Sequence, residues 1–209
     1  MKPFSAACEQ NQAPILAVLK DALADAARVL EIGSGTGQHA CYFPARLTHL
    51  HWQPSDVADN LPGIRAWLSQ ARLANVAAPL ALDVNDAWPS LTVDAVFTAN
   101  TTHIMSWRTN LAMLRGVARR LPDGGRFVIY GPFNYNGAYT ADSNRRFDAW
   151  LKRRDPNSGI RDVEAIQDEL AARRIEPPRL SRRGIGSKVR RLCLCCLGLH
   201  RSSPQRGWG

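Results

Sequence analysis

Glycine stands at positions 33, 35 and 37 of this chain, directly after the apolar run Val29-Leu30-Glu31-Ile32, and carboxylates stand at 31, 56 and 83. Glycine lacks a Cβ, so it accepts positive φ and lets a ligand come close to the backbone. A glycine-rich turn between a strand and a helix is the first βα unit of a nucleotide-binding α/β fold. Asp56 follows the loop by about twenty residues, the interval at which a carboxylate bonds ribose hydroxyls. Asp83 can accept from an exocyclic adenine amine, and both aspartates can equally serve as turn or cap residues. His103 is the best candidate base, because imidazole changes charge near neutral pH. A hydrogen-bonded histidine in the wall of the site is the other reading of it.

The glycine spacing discriminates between cofactors. A dinucleotide loop reads G-x-G-x-x-G, and where its last glycine should stand this chain carries Gln38. Glu31, two residues before the first glycine, suits a cation better than a pyrophosphate. Together these point to S-adenosylmethionine, whose amino group and sulfonium are positive, and away from a nicotinamide-dependent oxidoreductase. The expected cofactor contacts are Glu31, Gly33, Ser34, Gly35, Gly37, Asp56, Asp83, Val84 and Asn100. Methyl transfer is an in-line displacement in which the protein positions the partners and excludes water. No metal is required, and a base only where the nucleophile must lose a proton.

The elements that would position these residues follow from periodicity. Short apolar runs predict strands over about 28–32, 50–54, 79–82, 94–99 and 126–130. Helices are expected over about 14–27, 36–47, 60–73, 106–121, 143–154 and 161–173, with Pro14 in the first turn of the first and Asn60 capping the third. Strands alternating with longer helices give an α/β, Rossmann-like, mostly parallel sheet covered on both faces. Ligands of such sheets lie beyond the carboxyl ends of the strands. Glu31, Asp56, Asp83, Asn100 and Gly131 fall at or just after strand ends and should converge on one rim. Trp107, Phe133, Tyr135 and Tyr139 are candidates for an apolar wall there, and Cys8, Glu9 and Asn11 could fold back over the cofactor.

With these residues in view, the chain resembles a class I S-adenosylmethionine-dependent methyltransferase. More closely, it is similar to a family of small methyltransferase-like proteins of poorly defined function. The segments that carry the likeness are Lys2-Pro3-Phe4-Ser5, Ala7-Cys8-Glu9, Val29 to Ala40, Trp52 to Asp56, Asp94 to Ile104, Gly131 to Asn134 and Ser143 to Asp162. The resemblance implies a class I methyltransferase fold over residues 1–180 and a bound S-adenosylmethionine, and supplies no substrate. Asn100-Thr101-Thr102-His103 departs from the Asn-Pro-Pro-aromatic sequence of enzymes that methylate adenine or glutamine amino groups. That argues against a DNA base or an amide as acceptor.

Residues 181–209 differ in composition. Residues 1–170 hold 17 basic and 17 acidic side chains, and 171–209 hold ten and one, so the net charge of +9 belongs to the tail. The tail is expected to be disordered. The final strand pair of the resembled family, with its Met-Pro-Ala-Asn-Asn sequence, is absent, which suggests an altered gene end. Cys193, Cys195, Cys196 and His200 match no common zinc spacing, and RNA binding through the basic tail is the other functional reading of it. No apolar run approaches the roughly 18 residues needed to cross a bilayer, and the N-terminus lacks a signal-peptide core, so a cytoplasmic location is expected. The leading expectation is a methyltransferase acting on a small molecule or a protein. The alternative is a cofactor-binding protein of the same fold without catalysis.

Overall fold

Central strands buried on both faces build two cores, one on each face of a sheet. The computed structural model describes residues 2–173, together with the backbone of Ile175–Glu176 and Arg190–Cys195. Strands β1 (Arg28–Ile32), β2 (His51–Asp56), β3 (Leu80–Ala81), β4 (Ala95–Ala99) and β5 (Arg126–Tyr130) pair parallel throughout. Successive side chains of a strand point to opposite faces. Val29, Ala95, Phe97 and Val128 therefore meet Ile15, Leu19 and Phe43 on one face. Leu30, Ile32, Val96, Phe127 and Ile129 meet Met113, Val117, Ile166 and Leu170 on the other. The first face is covered by α1 (Ala6–Ala22) and α2 (Gln38–Tyr42), the second by α4 (Trp107–Arg120) and α6 (Val163–Ala171). Two helices remain, α3 (Leu61–Ala71) and α5 (Asp142–Arg154).

Strand order in the sheet is β3-β2-β1-β4-β5. The order reverses between β1 and β4, and this switch point opens the crevice in which ligands of doubly wound sheets bind. A separate two-stranded parallel ladder, β6 (Phe133–Asn134) with β7 (Arg161–Asp162), stands beyond β5. The tail expected to be disordered contributes β9 (Arg190–Cys195), parallel to β5, with β8 (Ile175–Glu176) outside it. Without it, the backbone groups along that side of β5 would form a free edge. Residues 181–189 and 196–209 lie outside the described residues, and so do the metal reading at Cys196 and His200 and most of the RNA-binding reading. Among the described residues no helix is long and apolar enough to cross a membrane.

The helices depart from the expected ends and caps. Helix α1 starts at Ala6, because the Ser5 hydroxyl caps it by accepting from the Cys8 N–H at 3.4 Å. Pro14 therefore sits inside the helix, where its exposed position leaves the unpaired Gln10 carbonyl to water. Helix α2 spans only five residues and gives way to turns around Pro44. Asn60 does not cap α3; its Nδ2 donates to Asp56 Oδ1 at 2.8 Å.

Candidate active site

Each glycine of the loop after β1 is required for a different reason. All three have positive φ, at +71°, +56° and +92° for Gly33, Gly35 and Gly37. A Cβ on Gly33 would collide with the Thr101 side chain after β4, so this glycine closes the switch point between β1 and β4. A Cβ on Gly37 would lie 2.9 Å from Ile64 Cα and 3.3 Å from Trp67 Cβ, so this one lets α3 pack. At Gly35 a Cβ would have nothing within 4 Å. Of these three, only Gly35 faces open space, as a ligand-approach glycine must.

Of the expected carboxylates, Asp56 borders that space and Glu31 is buried against the same loop at Ser34. Glu31 shares its sheet face with Val29 and lies among Trp52, Phe97 and Phe43, 1 % exposed. Its Oε2 accepts from Trp52 Nε1 at 2.9 Å. Burial pushes its pKa up to about 7, against the hydrogen bonds from Trp52 and Ser34. A buried carboxylate short of positive charge is a built receptor for a cation. Asp56, at the end of β2, is 8 % exposed; its Oδ2 accepts from the Gly35 N–H at 2.7 Å, and Oδ1 from Val57 N–H and Asn60 Nδ2, both at 2.8 Å. It therefore ties the loop to β2 and stays beside the open space. Ser34 is 5 % exposed, and its Oγ accepts from the Ser55 N–H at 3.2 Å.

The third carboxylate behaves as a turn residue. Asp83 Oδ1 accepts from both the N–H and the Nδ2 of Asn85, each at 2.9 Å, and the side chain is exposed. Val84 sends its side chain into the core against α4 and α6, so only its backbone is left for a ligand. Asp83 nevertheless borders a cleft of about 420 Å³ between the ends of β2 and β3, lined also by Val57, Ala58, Asp59 and Ala87. Val57 leaves 43 % of itself exposed at this cleft, an apolar wall for a flat ring. Sequence reasoning missed Val57; its place directly after Asp56 was the available signal.

Asn100, at the end of β4, is held in the left-handed region at φ +58°, a strained state for a residue with a side chain. Two residues on, Thr102 and His103 are both buried. Burial, followed by the charge of Arg161, holds the His103 pKa down to about 4. Such an imidazole is neutral at pH 7 but a weak base, so the hydrogen-bonding reading of His103 gains over the catalytic-base reading. Of the aromatics, Phe133 is core, Trp107 packs beside the same core, and Tyr139 donates to Asp148. Tyr135 is exposed.

The N-terminal residues do fold back against the loop. Gln38 Oε1 accepts from the Ser5 N–H at 2.6 Å while its Nε2 donates to the Ser5 carbonyl at 3.2 Å. Asn11 Oδ1 pairs with His39 Nε2 at 2.8 Å, and Trp67 Nε1 donates to the Pro3 carbonyl at 2.6 Å. Gln38, which marked the break from a dinucleotide pattern, thus stitches the leader to the loop. Burial pushes the Cys8 thiol up and the Cys41 thiol to about 11, so neither is a ready nucleophile.

Residues 2–177 match the family model described as "Protein of unknown function (DUF938)". The chain belongs to the DUF938 family. Its fold recurs in solved methyltransferases. An O-methyltransferase family protein from Burkholderia thailandensis superposes with a TM-score of 0.70 at 16% identity, over 80% of this chain and 52% of that one. The S-adenosylmethionine-dependent methyltransferase SibL gives 0.68 at 23% identity, over 80% and 49%. PigF with SAH gives 0.69 at 17% identity, over 79% and 50%. This DUF938 chain thus has a class I methyltransferase fold and spans about half the length of these structures.

Glu31 makes the DUF938 protein sensitive to pH. Its carboxyl is raised from 4.5 to about 7, so the folded state holds a proton that the unfolded state has lost. Its contribution is fully present below about pH 4.5 and is lost as pH rises through 7. At 1.36 kcal/mol per pK unit the loss is roughly 3 kcal/mol. Glu31→Gln, which keeps an acceptor for Trp52, should raise stability at pH 8 by up to that amount and change little at pH 4. Urea unfolding at the two pH values checks this, and a Glu31→Gln protein no more stable at pH 8 would show that burial does not raise the Glu31 carboxyl.

Proposed function

We propose that this DUF938 protein is an S-adenosylmethionine-dependent methyltransferase. The observation that carries the reading is the open space at Gly35 beside the Asp56 carboxylate, with the buried Glu31 carboxyl meeting the same loop at Ser34. The residues suit the cofactor: Glu31 would meet the cationic amino-acid end, Asp56 the ribose hydroxyls, and the Val57–Asp83 cleft the adenine. When bound, the cofactor supplies an electrophilic methyl group. The protein's own part is to hold that group at the β1/β4 switch point and to keep water out of it. The neighbours' printed descriptions, one with SAH, support the same cofactor.

Titration calorimetry with S-adenosylmethionine tests the reading. Gly35→Val, whose side chain would enter the open space, should bind at least 100-fold more weakly. Gly37→Ala serves as the contrast, because its Cβ meets α3 and its main effect is a lowered melting temperature. Unchanged affinity in Gly35→Val would remove the assignment. Cofactor binding without turnover is a second reading, favoured by the weak basicity of His103. Transfer of labelled methyl into a metabolite or protein extract separates the two.

A further inference from the structure

Two polar atoms at the ends of β4 and β5 are left unsatisfied. Thr102 Oγ1 and His103 Nδ1 are buried and have no hydrogen-bond partner among the described residues. Their side chains are on residues 0 % and 4 % exposed. An orphaned buried group costs on the order of 1–3 kcal/mol, so native structures keep few without a purpose. Both atoms border the bare face of Gly131. A Cβ at Gly131 would stand 3.6 Å from His103 Nδ1, 3.8 Å from Thr102 Oγ1 and 3.9 Å from Phe133 Cε2. All three are ordinary contact distances, so the backbone of Gly131 presents a bare face to both atoms.

The local field says which atom belongs there. Arg161 directs its Nε to the Thr102 carbonyl at 3.2 Å and its Nη2 to the Met105 and Asn157 carbonyls at 2.5 and 2.7 Å. Those acceptors are neutral carbonyls, and although the Asp148 and Asp155 carboxylates act on the guanidinium, its charge still reaches the His103 ring. Thr102 Oγ–H and the Nδ1–H tautomer of His103 can both donate into the space at Gly131. Two donors under a positive field favour a negatively charged oxygen. Helix α5, whose Phe147 ring meets the His103 ring at 5.4 Å, also carries exposed Arg145, Arg146, Arg153 and Arg154. These can draw an anion toward the rim.

We propose that Thr102, His103 and Gly131 form a cradle for one oxygen of a carboxylate-bearing methyl acceptor, an inference that rests on the methyltransferase reading. With one oxygen held, the other is free to attack. Its electron pair forms the O–C bond while the methyl–sulfur bond breaks and its pair stays on sulfur. The carboxylate and sulfonium charges cancel, the product is a methyl ester, and no proton is transferred. A site of this kind needs no strong base, in keeping with His103.

The test uses the whole chain, saturating S-adenosylhomocysteine, benzoate as the probe and benzamide as its uncharged counterpart. Benzoate should shift the His103 imidazole resonances saturably and bind at least tenfold more tightly than benzamide. Gly131→Ala fills the space without backbone strain, since its φ is not positive. It should abolish the benzoate effect while S-adenosylhomocysteine affinity and melting temperature hold. Benzamide binding as well as benzoate, an unmoved His103 resonance, or undiminished benzoate binding by Gly131→Ala overturns the cradle. A crystal structure with an ordered water on both atoms that persists in the benzoate complex does the same. S-adenosylhomocysteine affinity, measured alone, keeps the outcomes apart: its absence defeats the methyltransferase reading, whereas its presence with no benzoate effect defeats only the cradle.

Discussion

Asp56→Ala should weaken S-adenosylmethionine binding by a factor on the order of 10²–10⁴, from the loss of two charge-assisted hydrogen bonds at about 1.5–3 kcal/mol each. The structure adds a second component. Asp56 accepts from Gly35 N–H, Val57 N–H and Asn60 Nδ2, so its removal also unties the glycine loop from the end of β2. The two components are separable. Asn60→Ala removes one of the internal hydrogen bonds and leaves the carboxylate in place, so it should lower melting temperature slightly and affinity severalfold at most. Asp56→Asn keeps an acceptor but loses the charge and should fall between. Calorimetry on the three variants reads the affinity, and thermal melts read the loop. Equal affinity in Asp56→Ala and the unmodified chain would mean that Asp56 serves only the loop.

Much of this was legible before any coordinates. The central strands β1, β4 and β5 read correctly because they are short apolar runs buried on both faces, a pattern that survives without knowledge of neighbours. The convergence of Glu31, Asp56 and Asn100 on one rim follows from the parallel sheet alone. The separate duties of Gly33 and Gly37 were not legible, since their causes, Thr101 and Ile64, are contacts made only in the folded chain. The early start of α1 was missed because Pro14 resembled a first-turn proline, while the true signal was Ser5 with its cap hydrogen bond. His103 was singled out by residue type, but its basicity is set by burial and Arg161, which sequence does not display.

The charge distribution shows the same limit. Residues 1–170 sum to zero, yet the fold sorts the signs. Asp56, Asp59, Asp83 and Asp86 gather around the proposed cofactor space, whereas residues 142–162 on the acceptor side carry six basic side chains against four acidic ones. A cation on one side and an anion on the other is what a sulfonium donor and a carboxylate acceptor require. Overall neutrality hides that polarity.

Asp148→Ala should cost about 3 kcal/mol of stability. Asp148 lies on the inner face of α5 with its side chain 3 % exposed. Its Oδ2 accepts from Tyr139 Oη and Lys152 Nζ, and its Oδ1 from the Ile160 N–H, each at 2.6 Å. Lys152 is 55 % exposed and returns to water at little cost, so the loss falls on the buried Ile160 N–H and on Tyr139. Ile160 adjoins Gly159, whose N–H donates to the His103 carbonyl at 2.9 Å, and Arg161, which holds the Thr102 and Met105 carbonyls. Loosening Asp148 therefore loosens the acceptor rim while the glycine loop stays in place. Although burial works to raise it, the hydrogen bonds from Lys152, Tyr139 and Ile160 hold the Asp148 carboxyl below its usual range. A depressed folded pKa gives stability that is present above the unfolded value of about 3.9 and is lost as pH falls through the folded one. The gap between Asp148→Ala and the unmodified chain in urea unfolding should thus be full at pH 7 and shrink below about pH 4. Asp148→Asn keeps an acceptor for Ile160 but sets an amide against Lys152, so it should lose roughly half as much. A gap under 1 kcal/mol at pH 7, or one that does not shrink in acid, would show that the ionised Asp148 carboxylate does not hold this rim.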